Sequence, residues 1–269
     1  MIVSTNGSGL CNRIKSLMST MKLAEYYNTE AKVFWHSRKG VINCNFSDLF
    51  ENIDLEINQI PNGANCYNLW RFAVTPDDKI PNNFFRGGVR HINKNQIFDG
   101  FSHTSVDGRN IDLEFDRIPQ ETINNYLKHL HKLKIKKDIL YKVDEFSNIF
   151  DENTVSVQIR SWVDDTSKQK YFNIDDFCLV MDDFKDSNFY VTADTPEIIE
   201  ILKNIYGDRI LYRKTLVELG DRDSKDGIVD AMIDLLLLSR NKTLIGTYIS
   251  TFTELAWWFS DCKSKVIIP

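Results

Sequence analysis

The sequence predicts an α/β protein of two domains, the second a parallel sheet with helices on both faces. Three observations carry this reading. Strand-like and helix-like segments alternate almost without interruption from residue 137 to the end of the chain. The chain also opens on a short apolar strand, a glycine turn and an amphipathic helix. Finally, 269 residues exceed a single typical domain of roughly 150. Strands that alternate with helices pair in parallel, with right-handed crossovers.

The elements follow in order. MIVS, residues 1–4, reads as a strand, and Leu10, Ile14, Leu17, Met21 and Ala24 recur at helical spacing, which predicts a helix over 10–28. KVFWH is the next strand and completes a βαβ unit. From about 51 to 112 the pattern is irregular and rich in Asn, Pro and Gly, with short strand-like pieces such as NQIFDGF. QETINNYLKHLHKLKIKKDILYKVDEF then gives one or two lysine-rich amphipathic helices that link the halves. TVSVQIR, NFYVTAD, RILYR, KTLIGT and KVIIP read as strands. Between them NIDDFCLVMDDF, TPEIIEILKNIYG, KDGIVDAMIDLLLLSR and STFTELAWWF read as helices, the second with Thr195 as cap and Pro196 in its first turn. The expected domains are therefore 1–136, an N-terminal α/β domain, and 137–269, a Rossmann-like domain.

Composition narrows the function classes. Hydrophobic residues at 42% and charged residues at 26% are ordinary globular usage, which excludes a disordered or fibrous chain. A net charge of -5 argues against a nucleic-acid partner, whose footprint is a basic face. A small anionic ligand needs only a few local cations. The longest apolar runs, MIDLLLLS and ELAWWF, fall short of the roughly 20 residues that span a bilayer. MIVSTNGSG is too soon interrupted for a signal peptide, so the expected setting is cytoplasmic. Cys11, Cys44, Cys66, Cys178 and Cys262 are odd in number and scattered, which predicts reduced thiols and no zinc site. The histidines fall in no metal-ligand spacing, and His129 with His131 is expected on a solvated helix face. Trp257 and Trp258 are expected in the core.

In a doubly wound sheet the loops after the strands converge at one edge, where ligands bind. QIRSWVDD brings Gln158, Arg160, Asp164 and Asp165 to that edge; VTADTPE brings Asp194; GTYISTFTE brings Thr247, Ser250 and Thr251, at or just before a helix N-terminus. Hydroxyls and free N–H groups at a helix N-terminus favour phosphate. Arg160 adds a charge-assisted contact for the same group. In the first domain NGSGLCNR supplies a glycine turn with Asn12 and Arg13, expected to face this edge across a cleft. Each residue also has a plain structural reading. Arg160 fits an ion-paired strand end, Ser250 and Thr251 fit helix caps, and Asp234 within DAMIDLLLLS fits a helix surface or a buried acceptor. Asp221 to Asp223, DRD, copies the form of a metal-binding DxD but lies in a charged segment, GDRDSKDG, read as a solvated loop.

GLCNRIKSLMSTMKLAEYY followed by KVFWHSRKGVINCNFSDLFE resembles the N-terminal region of bacterial nodulation-type fucosyltransferases. VQIRS, FYVTADTPE and DLLLLSRNKTLIGTYISTFTELA, in that order, resemble the three motifs shared by α1,6-fucosyltransferases and, more loosely, protein O-fucosyltransferases. The resemblance covers 1–50 and 150–260 and is poor between. It implies a GT-B-like fold, two Rossmann-like domains facing a cleft, and an inverting glycosyltransferase that moves fucose from GDP-fucose to a glycan hydroxyl, with no metal and no other cofactor. Carried over by position, Arg160 is the arginine on the donor β-phosphate, Asp234 the carboxylate that reads guanine, and Ser250 and Thr251 the phosphate-binding pair. Asn12 and Arg13 close the first domain's side of the donor site, 1–136 is the acceptor side, and Asp164 or Asp165 occupies the region of the proposed catalytic carboxylate.

The sequence departs from that pattern at two positions. Gln158 stands where the family has a histidine that helps bind the base, and Ser161 where it has a second arginine. Two alternatives follow: a glycosyltransferase of this fold using another nucleotide sugar, such as a UDP- or GDP-linked pentose or deoxysugar, or a noncatalytic glycan- or nucleotide-binding protein. A dinucleotide oxidoreductase ranks low, because no GxGxxG follows the first strand.

Overall fold

The computed structural model describes residues 1–67, 120–163, 165–214, 221–248 and 250–269. The strand expected at 95–101 and the candidate Asp164 lie outside the described residues. The chain divides into two compact units, Met1–Lys137 with Gly220–Val229, and Asp138–Leu219 with Asp230–Pro269. Both are α/β, each built on a parallel sheet.

The first unit holds β1 (Ile2–Ser4), α1 (Leu10–Tyr26), β2 (Ala31–Val33), α2 (Phe46–Leu49), β3 (Asn65–Tyr67) and α3 (Gln120–Leu130). Its strands lie in the order β2-β1-β3, all parallel, and β1 is buried along its whole length. Ile123, Tyr126 and Leu130 fall on one face of α3, as helical periodicity requires, and all three are buried. The Lys22 ammonium of α1 lies 4.8 Å from the centre of the Tyr126 ring. The DRD segment is the solvated loop expected only in part: Asp221 is exposed, whereas Asp223 is half-buried and ties two turns together. The Asp223 carbonyl accepts the Asn43 N–H at 2.5 Å, its carboxylate accepts the Gly40 N–H, and Lys225 pairs with Asp48 at 2.8 Å. A carboxylate committed to a backbone N–H is a turn lock.

The second unit holds α4 (Lys137–Ser147), β4 (Val155–Ile159), α5 (Ile174–Met181), β5 (Phe189–Ala193), α6 (Pro196–Tyr206), β6 (Ile210–Leu211), α7 (Lys225–Leu238), β7 (Thr243–Ile245), α8 (Thr251–Phe259) and β8 (Lys265–Ile267); Lys137 and the first turn of α7 group with the first unit. The strand order is β6-β5-β4-β7-β8, all parallel. Side chains of a strand alternate between faces, and here each face has its own cover. Val155, Val157 and Ile159 with Phe189 and Val191 form one face, packed on Phe177 and Met181 of α5 and on Ile198, Leu202 and Tyr206 of α6. Full burial of one such side chain contributes about 1.5–3 kcal/mol. The opposite face carries Ser156, Gln158 and Tyr190, which bond to the carbonyl of Leu238, to Thr253 and to Asp234. The helices there are α7 and α8, so the polar residues of β4 and β5 are buried by design and satisfied by hydrogen bonds.

Trp257 and Trp258 are in the core. The five cysteines are free thiols, and among the described residues no helix is long and apolar enough to cross a membrane. His129 departs from expectation. It is 1% exposed, packs toward α1, and its Nε2 lies 3.1 Å from Glu25 Oε2. The helix face that carries it is covered, which periodicity alone does not reveal.

Burial, reinforced by the nearby Lys132 charge, pushes the His129 imidazole down to about 4 from the ordinary 6.5. The unfolded chain therefore takes up a proton that the folded one refuses. Stability is full above about pH 6.5 and is lost as pH falls toward 4, by at most about 1.4 kcal/mol per pH unit. Urea unfolding of wild type and His129→Gln between about pH 7.5 and 4.5 checks this: the decline is steeper in wild type, and parallel curves would refute it.

Candidate functional site

The sheet of the second unit has one position where neighbouring connections run to opposite sides. Read outward from β4, the order goes one way to β5 and β6 and the other way to β7 and β8. Such a switch point leaves a crevice beyond the carboxyl ends of the two central strands, and ligands of doubly wound sheets bind there. At that point Gln158 lies near the end of β4, Arg160 and Ser161 leave it, and Gly246, Thr247, Tyr248 and Ser250 follow β7.

Thr247 joins the two strand ends. Its hydroxyl accepts the Arg160 N–H at 2.7 Å and donates to the Gln158 carbonyl at 3.0 Å. Its own N–H is 3.2 Å from Thr253 Oγ1, which in turn donates to Gln158 Oε1 at 2.6 Å. Thr247 and Thr253 are almost wholly buried. Thr247, a candidate ligand residue, thus has its hydroxyl fully used in shaping the site. Gln158 has its amide oxygen fixed toward α8, a job a histidine nitrogen in its neutral form could also do.

Arg160 is held differently. Its Nε lies 3.4 Å from Asp194 Oδ2, and its guanidinium stacks 5.2 Å from the Trp162 ring, while 37% of its side chain stays exposed. Asp194 is 6% exposed and is itself anchored, since Oδ1 accepts both the N–H of Ser161 at 2.9 Å and its hydroxyl at 2.7 Å. Ser161, where a second arginine was the pattern, therefore positions the carboxylate that positions Arg160. Trp162 adopts the left-handed backbone, φ 57, which is sterically unfavourable for a bulky residue. Both Arg160 and Lys168 lie over that indole, the Lys168 Nζ 4.8 Å from the ring centre.

Ser250 caps α8, its side chain accepting the Thr253 N–H, and it is buried. Thr251 is the first helical residue and half-buried. The N–H groups of Thr251 and Phe252 have no intrahelical acceptor at this end, and the positive pole of the helix lies with them. Asp165 bonds to Lys168 Nζ at 2.7 Å and to the Ser167 hydroxyl at 2.6 Å, and these contacts, Lys168 first, hold its carboxyl below the usual range. That favours an ionised group of low basicity.

Asp234 lies in a polar cluster on the face covered by α7. It accepts from Tyr190 and from Arg213, both at 2.9 Å, while Arg213 also pairs with Asp230 at 2.8 Å. Of the two readings left open by the sequence, buried acceptor is the better description, with 18% of the side chain still exposed.

In the first unit Arg13 is 1% exposed and spans the opening turn. It donates to the carbonyls of Ser8 at 2.7 Å, His36 at 2.6 Å and Gly7 at 3.4 Å, and its guanidinium covers the Trp35 ring. Burial lowers its pKa to about 10, which leaves it charged at neutral pH. Arg13 is the brace of the glycine turn. Asn12 beside it is half-buried, with Oδ1 out of solvent and without a hydrogen bond. Sequence reasoning missed Trp162, Lys168, Thr253 and Arg213. Thr253 alone carried a signal, three residues after the capping serine on the helix that leaves the switch point.

A parallel sheet with this order, and an arginine beside an open helix end at its switch point, define the class: a doubly wound α/β protein. No family model and no curated protein matches the sequence. The fold matches solved fucosyltransferases. NodZ α1,6-fucosyltransferase soaked with GDP-fucose, an enzyme whose structures come from Bradyrhizobium, shares 14% identity over 96% of this chain and 91% of its own, with a TM-score of 0.57. A mutant of Arabidopsis thaliana FUT1 in complex with GDP shares 17% over 99% and 69%, TM-score 0.54. POFUT1 in complex with GDP shares 10% over 99% and 97%, TM-score 0.55. At these identities the likeness is one of fold.

Gly246 measures how tightly the switch point is packed. A Cβ there would lie 2.1 Å from Thr253 Cγ2 and 2.8 Å from its Oγ1, and Thr253 is β-branched and buried. Gly246→Ala is expected to destabilise the protein by about 1–3 kcal/mol. Adding Thr253→Ser, which removes Cγ2 and keeps the hydroxyl, should recover part of that loss in thermal melts; no recovery would mean the strain lies elsewhere.

Proposed function

We propose that the protein is an inverting glycosyltransferase that moves fucose from GDP-fucose to the hydroxyl of a glycan, without a metal ion and in the cytoplasm. The observation that carries the reading is Arg160, half-exposed at the switch point, held by Asp194 and Trp162 beside the open N-terminus of α8. The free thiols fit a reducing compartment. The ligands of the fold relatives, GDP and GDP-fucose, support the donor.

In this reaction an acceptor oxygen attacks C1 of the sugar, the bond from C1 to the β-phosphate oxygen breaks, and the electron pair leaves with GDP. Charge grows on the diphosphate in the transition state. A preorganised guanidinium, the N–H groups of Thr251 and Phe252 and the Thr251 hydroxyl meet that charge without reorganising. Asp194 and Ser161 keep Arg160 in place, and Thr247 keeps the two loops at a fixed separation. The acceptor proton goes to a carboxylate or to solvent. Asp165, ionised and tied to Lys168, is a weak base, and an oxocarbenium-like transition state asks little of one. Asp234 reads the guanine N–H edge, and Asn12, with its unsatisfied Oδ1, offers an acceptor in the first unit. Arg13 acts on the ligand only through the turn it braces.

A second reading rests on Gln158. Its amide oxygen is taken by Thr253, so this position contributes no ring nitrogen to a base, which favours a glycosyltransferase of this fold with another nucleotide sugar.

Thermal shifts with GDP, UDP and CDP, with and without EDTA, separate the readings. A ligand at about 100 times its dissociation constant adds roughly 2.7 kcal/mol. GDP alone is expected to stabilise, regardless of EDTA; a shift with UDP alone would transfer the reading to the second donor. Arg160→Ala is expected to lower GDP-fucose turnover or donor hydrolysis by about 10²–10³ with the fold intact. Near-normal turnover in that variant would remove Arg160 from the mechanism, and nucleotide binding without either reaction would point to a noncatalytic binding protein.

A further inference from the structure

Arg213 stands two residues past the end of β6 and gathers two carboxylates. Its Nη1 donates to Asp234 Oδ1 at 2.9 Å and to the Asp230 carbonyl at 3.3 Å, and its Nη2 donates to Asp230 Oδ1 at 2.8 Å. The Tyr190 hydroxyl donates to the same Asp234 oxygen at 2.9 Å. Oδ1 is therefore engaged from two sides. Oδ2 of Asp234 receives no hydrogen bond from the described residues, and 18% of the side chain is open. The cluster engages one oxygen twice and leaves the other to a further donor.

The register locates the cluster. Tyr190 pairs with Leu211, so Arg213 lies two positions beyond the last pair of β6, toward the carboxyl ends of the strands. That is the side of the sheet on which Arg160 and Asp194 lie beyond β4 and β5.

The charge balance is equally specific. The charged and titratable groups facing Asp234 are Arg213 beyond β6, Tyr190 from β5 and Asp230 from α7. Burial pushes the Asp234 carboxyl up, and Asp230 adds to that, while Arg213 and Tyr190 pull it back. Without its two donors the group would be a buried carboxyl next to a like charge, the situation in which a carboxyl keeps its proton. A protonated Asp234 would lose its acceptor strength.

We propose that Arg213 and Tyr190 are positioning residues, which hold the Asp234 carboxylate in one rotamer with Oδ2 presented to the N1–H and N2–H edge of a guanine base. This rests on the GDP reading above. They touch no ligand themselves and act through Asp234, so they set base selectivity and not the rate of the chemical step.

The test is calorimetric binding of GDP and of inosine diphosphate, which lacks the 2-amino group, to wild type, Arg213→Met and Tyr190→Phe at about pH 6 and pH 8.5, with circular dichroism to confirm folding. Wild type is expected to prefer GDP by about tenfold or more at both pH values, the worth of a hydrogen bond to a charged group. Arg213→Met should lose about 10–100-fold in GDP affinity, bring the two nucleotides close to parity and lose more at low pH. Tyr190→Phe removes only a hydroxyl and should show a smaller loss, concentrated at low pH. It decides the question alone if Arg213→Met does not fold. A folded variant that keeps the wild-type ratio at both pH values would overturn the inference and leave the GDP donor standing. Wild type that binds GDP without discriminating against inosine diphosphate would also overturn it. Wild type that binds neither nucleotide would sink the GDP reading itself, and the inference with it.

Discussion

The site depends on one hydroxyl. Thr247 receives the N–H of Arg160 and gives its proton to the carbonyl of Gln158, so a side chain from the loop after β7 completes the backbone bonding of β4 where the ladder ends. At a switch point the two central strands send their chains to opposite faces, and nothing in the sheet itself fixes how far apart the two loops stand. Thr247 fixes it, and Thr253 repeats the tie one layer out through Gln158 Oε1. The open end of α8 and the Arg160 guanidinium inherit their spacing from these bonds. The missing Cβ of Gly246 lets α8 approach closely enough for them to form.

Three arginines illustrate how burial assigns a cation its work. Arg13, 1% exposed, is consumed by backbone carbonyls of the opening turn. Arg213, with 14% of its side chain exposed, bridges two carboxylates. Arg160, at 37%, meets one carboxylate at 3.4 Å and one ring. Of the three, the last is the most open to solvent and makes the fewest contacts. All three look alike in the sequence, each near a strand end or a turn.

That contrast explains what was legible and what was not. The strands and helices of the second unit were readable because each obeys one period and is punctuated by polar loops; Thr195-Pro196 even marked the start of α6. In the first unit α2 and β3, of four and three residues, are too short for any period to show. Among site residues, membership of the sheet edge was legible, since it follows from the strand each one leaves. The direction a long side chain takes was not. Arg13 turns back over its own turn, and Trp162 enters the site through a backbone conformation that no residue type but glycine announces. His129 and Asp223 were misjudged for a related reason: a polar residue on a helix or in a charged loop looks solvated until the partner segment, distant in sequence, is known.

The left-handed turn at Trp162 gives the protein an optical property. Trp35, Trp257 and Trp258 are shielded in the interior, whereas the Trp162 indole is only half-buried and has the Arg160 guanidinium and the Lys168 ammonium over its ring. Two positive charges facing one ring impose a local electric field on its excited state. An anion settling on Arg160 would cancel part of that field, so occupancy of the switch point would be accompanied by a change in Trp162 emission.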